Sequence, residues 1–224
     1  MNQEEFKKMC GEAAAREVAS GDIVGLGTGS TVYYTIKYLG ELTREEGLGI
    51  IGIPTSKATE KIARESGIQL GTLEEYQELD IAIDGADQVD PGLNLIKGGG
   101  GAHVREKIVA SAAKRFIVVA DETKVVKELN MAVPVEILPF ALGLAMKKLS
   151  EIGATPFLRL AGSNYFITDN KNYVIDADFG ALSDPQKMEH EINKIPGVVD
   201  NGIFSDMTSE VLVGTSYGVK TLKL

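Results

Sequence analysis

Four short apolar segments, each running into a cluster of polar residues, constrain this chain most strongly. Ile23-Val24-Gly25-Leu26 leads into Gly27-Thr28-Gly29-Ser30-Thr31, and Ile50 to Ile53 leads into Thr55-Ser56-Lys57. Leu79 to Ile83 ends at Asp84, and Phe116 to Ala120 ends at Asp121-Glu122-Thr123-Lys124. Continuous apolar runs this short read as strands buried on both faces. Helical patterns lie between them. Asn2 with Glu5 makes a capping box that opens a helix to about Ser20; a second helix follows the Gly27–Thr31 turn to about Leu42. Ser56 caps a third, to about Glu65, and Ala102 to Lys114 is a fourth; Leu93 to Ile96 adds a further strand. This alternation predicts an α/β fold: a Rossmann-like, open, mostly parallel sheet with helices on both faces.

The pattern changes near Asn130. Val133 to Leu138 reads as a strand, Pro139 opens a helix to about Ile152, and strands follow at Thr155–Leu160, Tyr165–Thr168 and Tyr173–Asp176. Asp184-Pro185 starts another helix to about Lys194, and Val198 to about Phe204 closes the set. That order suggests a smaller α+β lid domain, ferredoxin-like, of the split βαβ kind. Val211–Val213 and Thr221–Leu224 read as strands returning to the first domain. The expected division is 1–130 plus 205–224 for the Rossmann-like domain and 131–204 for the lid.

Composition narrows the function classes. The net charge is −9 and no basic run exceeds a pair, so nucleic acid is not an expected partner. No apolar run reaches the roughly 18 residues of a membrane span, and the N-terminal residues lack the apolar stretch of a secretion signal. A lone cysteine, Cys10, cannot form an intrachain disulfide, which fits a reducing cytoplasmic setting and a buried packing role. An acidic protein can still hold an anion if backbone N–H groups and a few placed lysines work against the global field.

Ligands of open α/β sheets sit beyond the carboxyl ends of the strands, so the four polar tips converge on one edge. Gly27–Thr31 fails the dinucleotide fingerprint, with Ser30 and Val32 where the third glycine belongs in either register, and it lacks the Gly-Lys-Ser/Thr of a P-loop. It is either a hydroxyl-rich helix start suited to one phosphate or an ordinary strand–helix turn. Asp84 and Asp87, in Asp84-Gly85-Ala86-Asp87, lack the spacing of a calcium loop, and two histidines are too few for a transition-metal cage, so no metal is expected. Lys97 precedes four glycines, Gly98 to Gly101, which serve a flexible loop or a close backbone approach to a ligand. Glu106 lies one turn into a helix, where a carboxylate is ordinary because the helix dipole favours it. His103 and Arg105 are expected at the surface.

Taken together, the segments Gly27–Thr31, Asp84–Asp87, Leu95–Ala102, Arg105–Val109, Ala120-Asp121, Pro134–Pro139, Ile195–Val199 and Gly218–Lys220 resemble the type A ribose-5-phosphate isomerases over essentially the whole chain. The resemblance implies a cofactor-free aldose–ketose isomerase working on a sugar phosphate. It implies Glu106 as the proton acceptor, with Asp84, Asp87 and Lys97 binding the sugar, opening its ring and handling the oxygen protons. It further implies substrate contacts from Thr28, Gly29, Ser30, Thr31, Gly85, Ala86, Gly98, Gly99, Gly100, Lys124 and Lys7, and a homodimer or homotetramer. Two positions depart from the family pattern: Gln88 replaces the usual glutamate, and His103 replaces an apolar residue. A sugar-phosphate sensor on the same scaffold, an amino-sugar deaminase and a coenzyme A transferase are the competing classes. The joint presence of Asp84, Asp87, Lys97 and Glu106 argues against the first, and the full-length resemblance against the other two.

Overall fold

The spacing of Asn2 and Glu5 does what it predicts: Asn2 Oδ1 accepts the Glu5 N–H at 3.0 Å, and Glu5 Oε2 accepts the Asn2 N–H at 2.7 Å. In the computed structural model, which describes residues 2–224, the helix so opened is α1 (Gln3–Ala15). It ends at Ala15 rather than near Ser20. Beyond that point the N–H of Val18 reaches back only to Ala15 O, Asp22 Oδ2 captures the Ala19 N–H at 2.8 Å, and Gly21, at φ 99°, turns the chain into the first strand.

The chain continues as β1 (Ile23–Leu26), α2 (Ser30–Glu45), β2 (Ile51–Pro54), α3 (Lys57–Glu65), β3 (Gln69–Leu70), β4 (Ile81–Gly85), β5 (Gln88–Val89), β6 (Leu95–Ile96), α4 (His103–Ser111) and β7 (Phe116–Asp121). Then come β8 (Val133–Ile137), α5 (Leu142–Glu151), β9 (Thr155–Leu158), β10 (Leu160–Ala161), β11 (Asn164–Tyr165) and β12 (Tyr173–Asp178). The last elements are α6 (Pro185–Asn193), β13 (Val198–Asn201), β14 (Ile203–Phe204), β15 (Glu210–Thr215) and β16 (Gly218–Leu222). They form two compact units. The first holds the chain up to Ala86 with Arg105–Val125 and Met207–Leu224; the second holds Asp87–Val104 and Val126–Asp206.

The first unit is built on a seven-stranded sheet in the order β16-β15-β7-β4-β1-β2-β3, parallel except for the β15–β16 hairpin. Leu26 lies opposite both Pro54 and Ile83, and Asp84 opposite Val118, so the tips after β1, β2, β4 and β7 share one edge of the sheet. Val24, Leu26, Ile83, Ile117 and Val119 are buried among Cys10 and Ala14 of α1 and Val32, Ile36 and Leu39 of α2. Each such aliphatic side chain contributes roughly 1.5–3 kcal/mol by leaving water. On the α4 side Gly25 sets the spacing: a Cβ there would sit 2.5 Å from Val109 Cγ1, so only glycine lets α4 lie this close to β1.

The second unit contains an antiparallel sheet in the order β13-β8-β12-β9, carrying α5 and α6 around a core that includes Val135, Ile137, Leu149, Ile175 and Ile192. Chain order β8-α5-β9-β12-α6-β13 in this arrangement is the ferredoxin-like split βαβ. A separate antiparallel trio, β14-β6-β5, takes Leu95–Ile96 out of the parallel sheet. The single strand expected over Val198–Phe204 is broken at Gly202. There the Gly202 N–H bonds Pro134 O and its carbonyl accepts the Lys97 N–H, and a Cβ would lie 2.2 Å from Lys97 O. Of the strand expected over Tyr165–Thr168, only Tyr165 lies in a strand, β11 of the β10–β11 hairpin. Among the described residues, no helix is long and apolar enough to cross a membrane.

Candidate active site

In the first unit the turn after β1 is shaped around Asp84. The Gly27 N–H donates to Ile83 O at 2.9 Å, and a Cβ at Gly27 would fall 2.2 Å from Asp84 Oδ1. Glycine is required here because the carboxylate passes directly over the turn. Asp84 is buried, and its Oδ1 accepts the N–H groups of Thr28 at 3.1 Å and Gly85 at 2.7 Å, which fixes the side chain. Glu106 is also buried, 4% exposed, and lines one narrow pocket with Asp84, Gly27, Thr55 and Ala110. The close packing of α4 on Gly25 and Ala82 brings it there. Two carboxylates buried together in a narrow pocket differ from a solvated helix start, and such a pair is chemically suited to proton transfer.

Thr28, half-buried, lines the cavity at the α2 N-terminus and is held in a cluster of hydroxyls. Its Oγ1 lies 2.8 Å from Thr55 Oγ1, 2.8 Å from Ser56 Oγ and 2.9 Å from Thr59 Oγ1, and Thr59 Oγ1 in turn donates to Gly27 O. With its N–H on Asp84 and its hydroxyl inside this cluster, Thr28 builds the turn. Gly29 follows at φ 133° as the N-cap of α2. A glycine cap supplies no side-chain acceptor, so the first N–H groups of α2 remain to be met from outside the helix, beside the hydroxyls of Ser30 and Thr31. Gly29 and Ser30 are exposed and border a cavity of about 520 Å³ lined also by Glu4, Tyr33 and Tyr34.

The basic candidates of this unit differ in setting. Lys7 Nζ is held 2.8 Å from Glu4 Oε1, and Tyr34 donates to Glu4 Oε2 at 2.8 Å. The Lys7 and Tyr34 hydrogen bonds hold the Glu4 carboxyl below its ordinary range. Lys124 closes a single 3-10 turn, Glu122–Lys124, capped by Asp121. Burial pushes the Asp121 carboxyl up, but bonds from Thr123 and Gln3, with the Lys124 charge, outweigh it and leave the group below the usual carboxylate range. Cys10 Sγ is buried against the carbonyls of Lys7 and Ala120, and burial raises its thiol to about 11, consistent with packing rather than nucleophilic chemistry.

In the second unit Asp87 Oδ2 accepts the Gly99 N–H at 2.8 Å. Lys97 is 2% exposed, with Nζ 5.5 Å from the Phe204 ring centroid. The glycines after it have distinct reasons. Gly98 (φ 100°) and Gly101 (φ 76°) need left-handed backbone, and the Gly101 N–H closes the turn on Gly98 O at 2.9 Å. At Gly99 a Cβ would sit 3.1 Å from both Asp87 oxygens, whereas at Gly100 it would meet nothing within 4 Å. His103, expected at the surface, is fully buried, because the missing Gly98 side chain leaves room for its ring: a Cβ there would be 2.7 Å from His103 Nδ1. Arg105 is half-buried. Gln88, also buried, accepts the N–H groups of Asn130 and Met131 through Oε1 and donates through Nε2 to Asn130 Oδ1. The last bond needs an amide, which accounts for glutamine at this position. Among the described residues, no group of three or more His, Cys, Asp or Glu side chains is arranged to hold a metal ion.

Residues 51–218 match the family model for ribose 5-phosphate isomerase A (phosphoriboisomerase A). A ribose-5-phosphate isomerase A from Methanosarcina acetivorans is 53% identical over 214 residues, covering 95% of this chain and 91% of the relative. The solved ribose 5-phosphate isomerase A of Methanocaldococcus jannaschii superposes with a TM-score of 0.95 at 46% identity, with both chains covered completely. A solved D-ribose-5-phosphate isomerase in complex with phospho-erythronic acid gives 0.97 at 44% identity, again over the whole of both chains. On the strength of the parallel-sheet edge, the paired carboxylates and these matches, the chain belongs to the ribose 5-phosphate isomerase A family.

Proposed function

We propose that this chain interconverts D-ribose 5-phosphate and D-ribulose 5-phosphate through an enediol, as part of non-oxidative pentose phosphate metabolism. The observation that carries the reading is the joint burial of Asp84 and Glu106 in one pocket at the carboxyl edge of the parallel sheet, in the same unit as the α2 N-terminus.

The chemistry follows from the groups. The Glu106 carboxylate takes the C2 proton of the open-chain aldose while the C1 carbonyl oxygen gains a proton, giving the enediol. Glu106 then returns its proton to C1 as the C2 hydroxyl loses its own and becomes the ketose carbonyl. A positioned base of this kind contributes about 10²- to 10⁴-fold in rate. Asp84, fixed by two backbone N–H groups, serves the substrate hydroxyls and ring opening. Family membership extends the same work to Asp87 and Lys97, with a buried ammonium suited to stabilising a developing oxyanion. The backbone of Gly85, Ala86, Gly98, Gly99 and Gly100 lines the sugar. The α2 N-terminus with Ser30 and Thr31, together with Lys124 and Lys7, takes the phosphate, and Thr28 and Gly29 contact the substrate from the same turn. Phospho-erythronic acid on a relative supports this scheme, because its carboxylate resembles the enediolate while its phosphate resembles that of the substrate.

We place the enzyme in the cytoplasm, acting without a cofactor, as a homodimer or homotetramer. Exposed Phe140, Phe157, Leu160 and Ile167 support association between copies. The test of function is direct: the protein is incubated with ribose 5-phosphate in EDTA and ketose formation is followed. Turnover is expected, and a folded sample that produces no ketose refutes the proposal.

A further inference from the structure

Arg159, between β9 and β10, carries no motif, yet its guanidinium joins Asp176 to the glycine turn after Lys97. Its Nε donates to Asp176 Oδ2 at 2.9 Å and its Nη2 to Asp176 Oδ1, a two-point fork. Its Nη1 donates to two glycine carbonyls, Gly98 O at 2.8 Å and Gly99 O at 3.1 Å. The guanidinium carbon lies 5.7 Å from the centroid of Phe166. That ring abuts the far end of the same turn, since a Cβ at Gly101 would be 2.4 Å from Phe166 Cε1. The Arg159 side chain is only 14% exposed.

Peptide planarity gives these contacts a consequence. A trans peptide places its N–H opposite its C=O. Holding Gly98 O from one side therefore aims the Gly99 N–H to the other, where it meets Asp87 Oδ2 at 2.8 Å. Holding Gly99 O in the same way aims the Gly100 N–H away from the guanidinium, at a residue whose Cβ position is open space. A turn of four glycines has more backbone freedom than any other sequence would give it, so a fixed orientation needs an external anchor. Lysine could not replace the anchor, because the site uses a planar fork for Asp176 and a further N–H for the two carbonyls.

We propose that Arg159 is a positioning residue for the isomerisation: it fixes the Gly98–Gly99 and Gly99–Gly100 peptides, and through them the Asp87 carboxylate and the Gly100 N–H. This depends on the function proposed above. The test measures two quantities on the full-length wild type, Arg159→Ala, Arg159→Lys and Asp176→Asn. The first is steady-state kinetics with ribose 5-phosphate. Arg159→Ala is expected to lower kcat on the order of 10²-fold, the scale of a roughly 1 Å misplacement, with little change in KM. Arg159→Lys is expected to fail to restore it, and Asp176→Asn to cause a smaller loss in the same direction. The second is the amide signal of Gly99 by NMR, expected to be shifted and slowly exchanging in the wild type and to lose both properties in Arg159→Ala. An unchanged Gly99 amide overturns the anchoring. A changed amide with kcat within twofold of wild type, or a rise in KM alone, overturns the positioning role. If Arg159→Ala does not fold, the lysine and asparagine variants decide by the same criteria. A wild type without turnover refutes the proposed function, and with it any part of Arg159 in that reaction, while the Gly99 signal still reports whether Arg159 sets the turn.

Discussion

Gly27→Ala separates the two demands placed on the turn after β1. The new Cβ would lie 2.2 Å from Asp84 Oδ1, 2.3 Å from Cγ and 2.6 Å from Cα. The nearest atoms include the backbone of β4, so no rotation of a flexible end relieves the clash. To reach an ordinary contact, the carboxylate and its strand must part from the turn by about 1 Å or more. That movement strains the Gly27–Ile83 and Thr28–Asp84 hydrogen bonds, at 2.9 and 3.1 Å. Overpacking of this kind costs about 1–3 kcal/mol of stability. A displacement of this size at a positioned carboxylate costs on the order of 10² in kcat. The assay is urea denaturation of wild type and variant followed by initial rates at saturating ribose 5-phosphate. A variant within about 0.5 kcal/mol of wild type, an ordinary surface-substitution effect, and with unchanged kcat would show that Asp84 is not held against the turn, and the account of the site would fall with it.

Other outcomes follow from the same contacts. Lys124→Ala is expected to raise KM for ribose 5-phosphate with a smaller effect on kcat; an unchanged KM rejects its phosphate role. Cys10, its thiol raised to about 11 by burial, is expected to resist alkylation at pH 8 in the native protein and to react once the protein is unfolded; rapid native labelling contradicts its placement. Burial pushes the Glu210 carboxyl up, but Arg115, with Nε 3.0 Å away, and Lys223, 3.1 Å away, outweigh it and leave its pKa lowered. A carboxylate whose folded pKa is depressed stabilises the fold above its unfolded value, about 4.3, and loses that contribution as pH falls through the folded value. Glu210→Gln should therefore lower the melting temperature at pH 7 and flatten its decline below pH 4.5; an unchanged acid profile refutes the coupling.

The residues differ in how far the sequence alone discloses them. The parallel sheet is legible because β1, β4 and β7 are apolar on both faces and end in abrupt polar tips. The α1 start is legible because its cap is local. Failures begin where a distant partner decides. Gly202 breaks one expected strand in two because Lys97 and Pro134 take its backbone groups, and both are remote in sequence. His103 is buried because Gly98 has no side chain, a complementarity that polarity alone does not predict. Thr28 gains a part that its sequence does not disclose: its hydroxyl meets those of Thr55, Ser56 and Thr59, brought up by the next strand and helix. Glu106 shows the same limit: in isolation it is an ordinary carboxylate in the first turn of a helix, and only the packing of α4 on Gly25 makes it a buried partner of Asp84. Arg159 lies beyond local inference altogether, since its acceptors at Gly98 and Gly99 are about 60 residues away and appear only after folding.

In the proposed reaction Glu106 moves the proton between C2 and C1. This role is tested by incubating wild type and Glu106→Gln with ribose 5-phosphate in deuterated water and following the C2 hydrogen by NMR. The wild type should exchange it with solvent during turnover. The variant should still bind the substrate, as judged by calorimetry, and leave the C2 hydrogen in place. Continued exchange at the wild-type rate in Glu106→Gln would contradict the account and move the base to another residue.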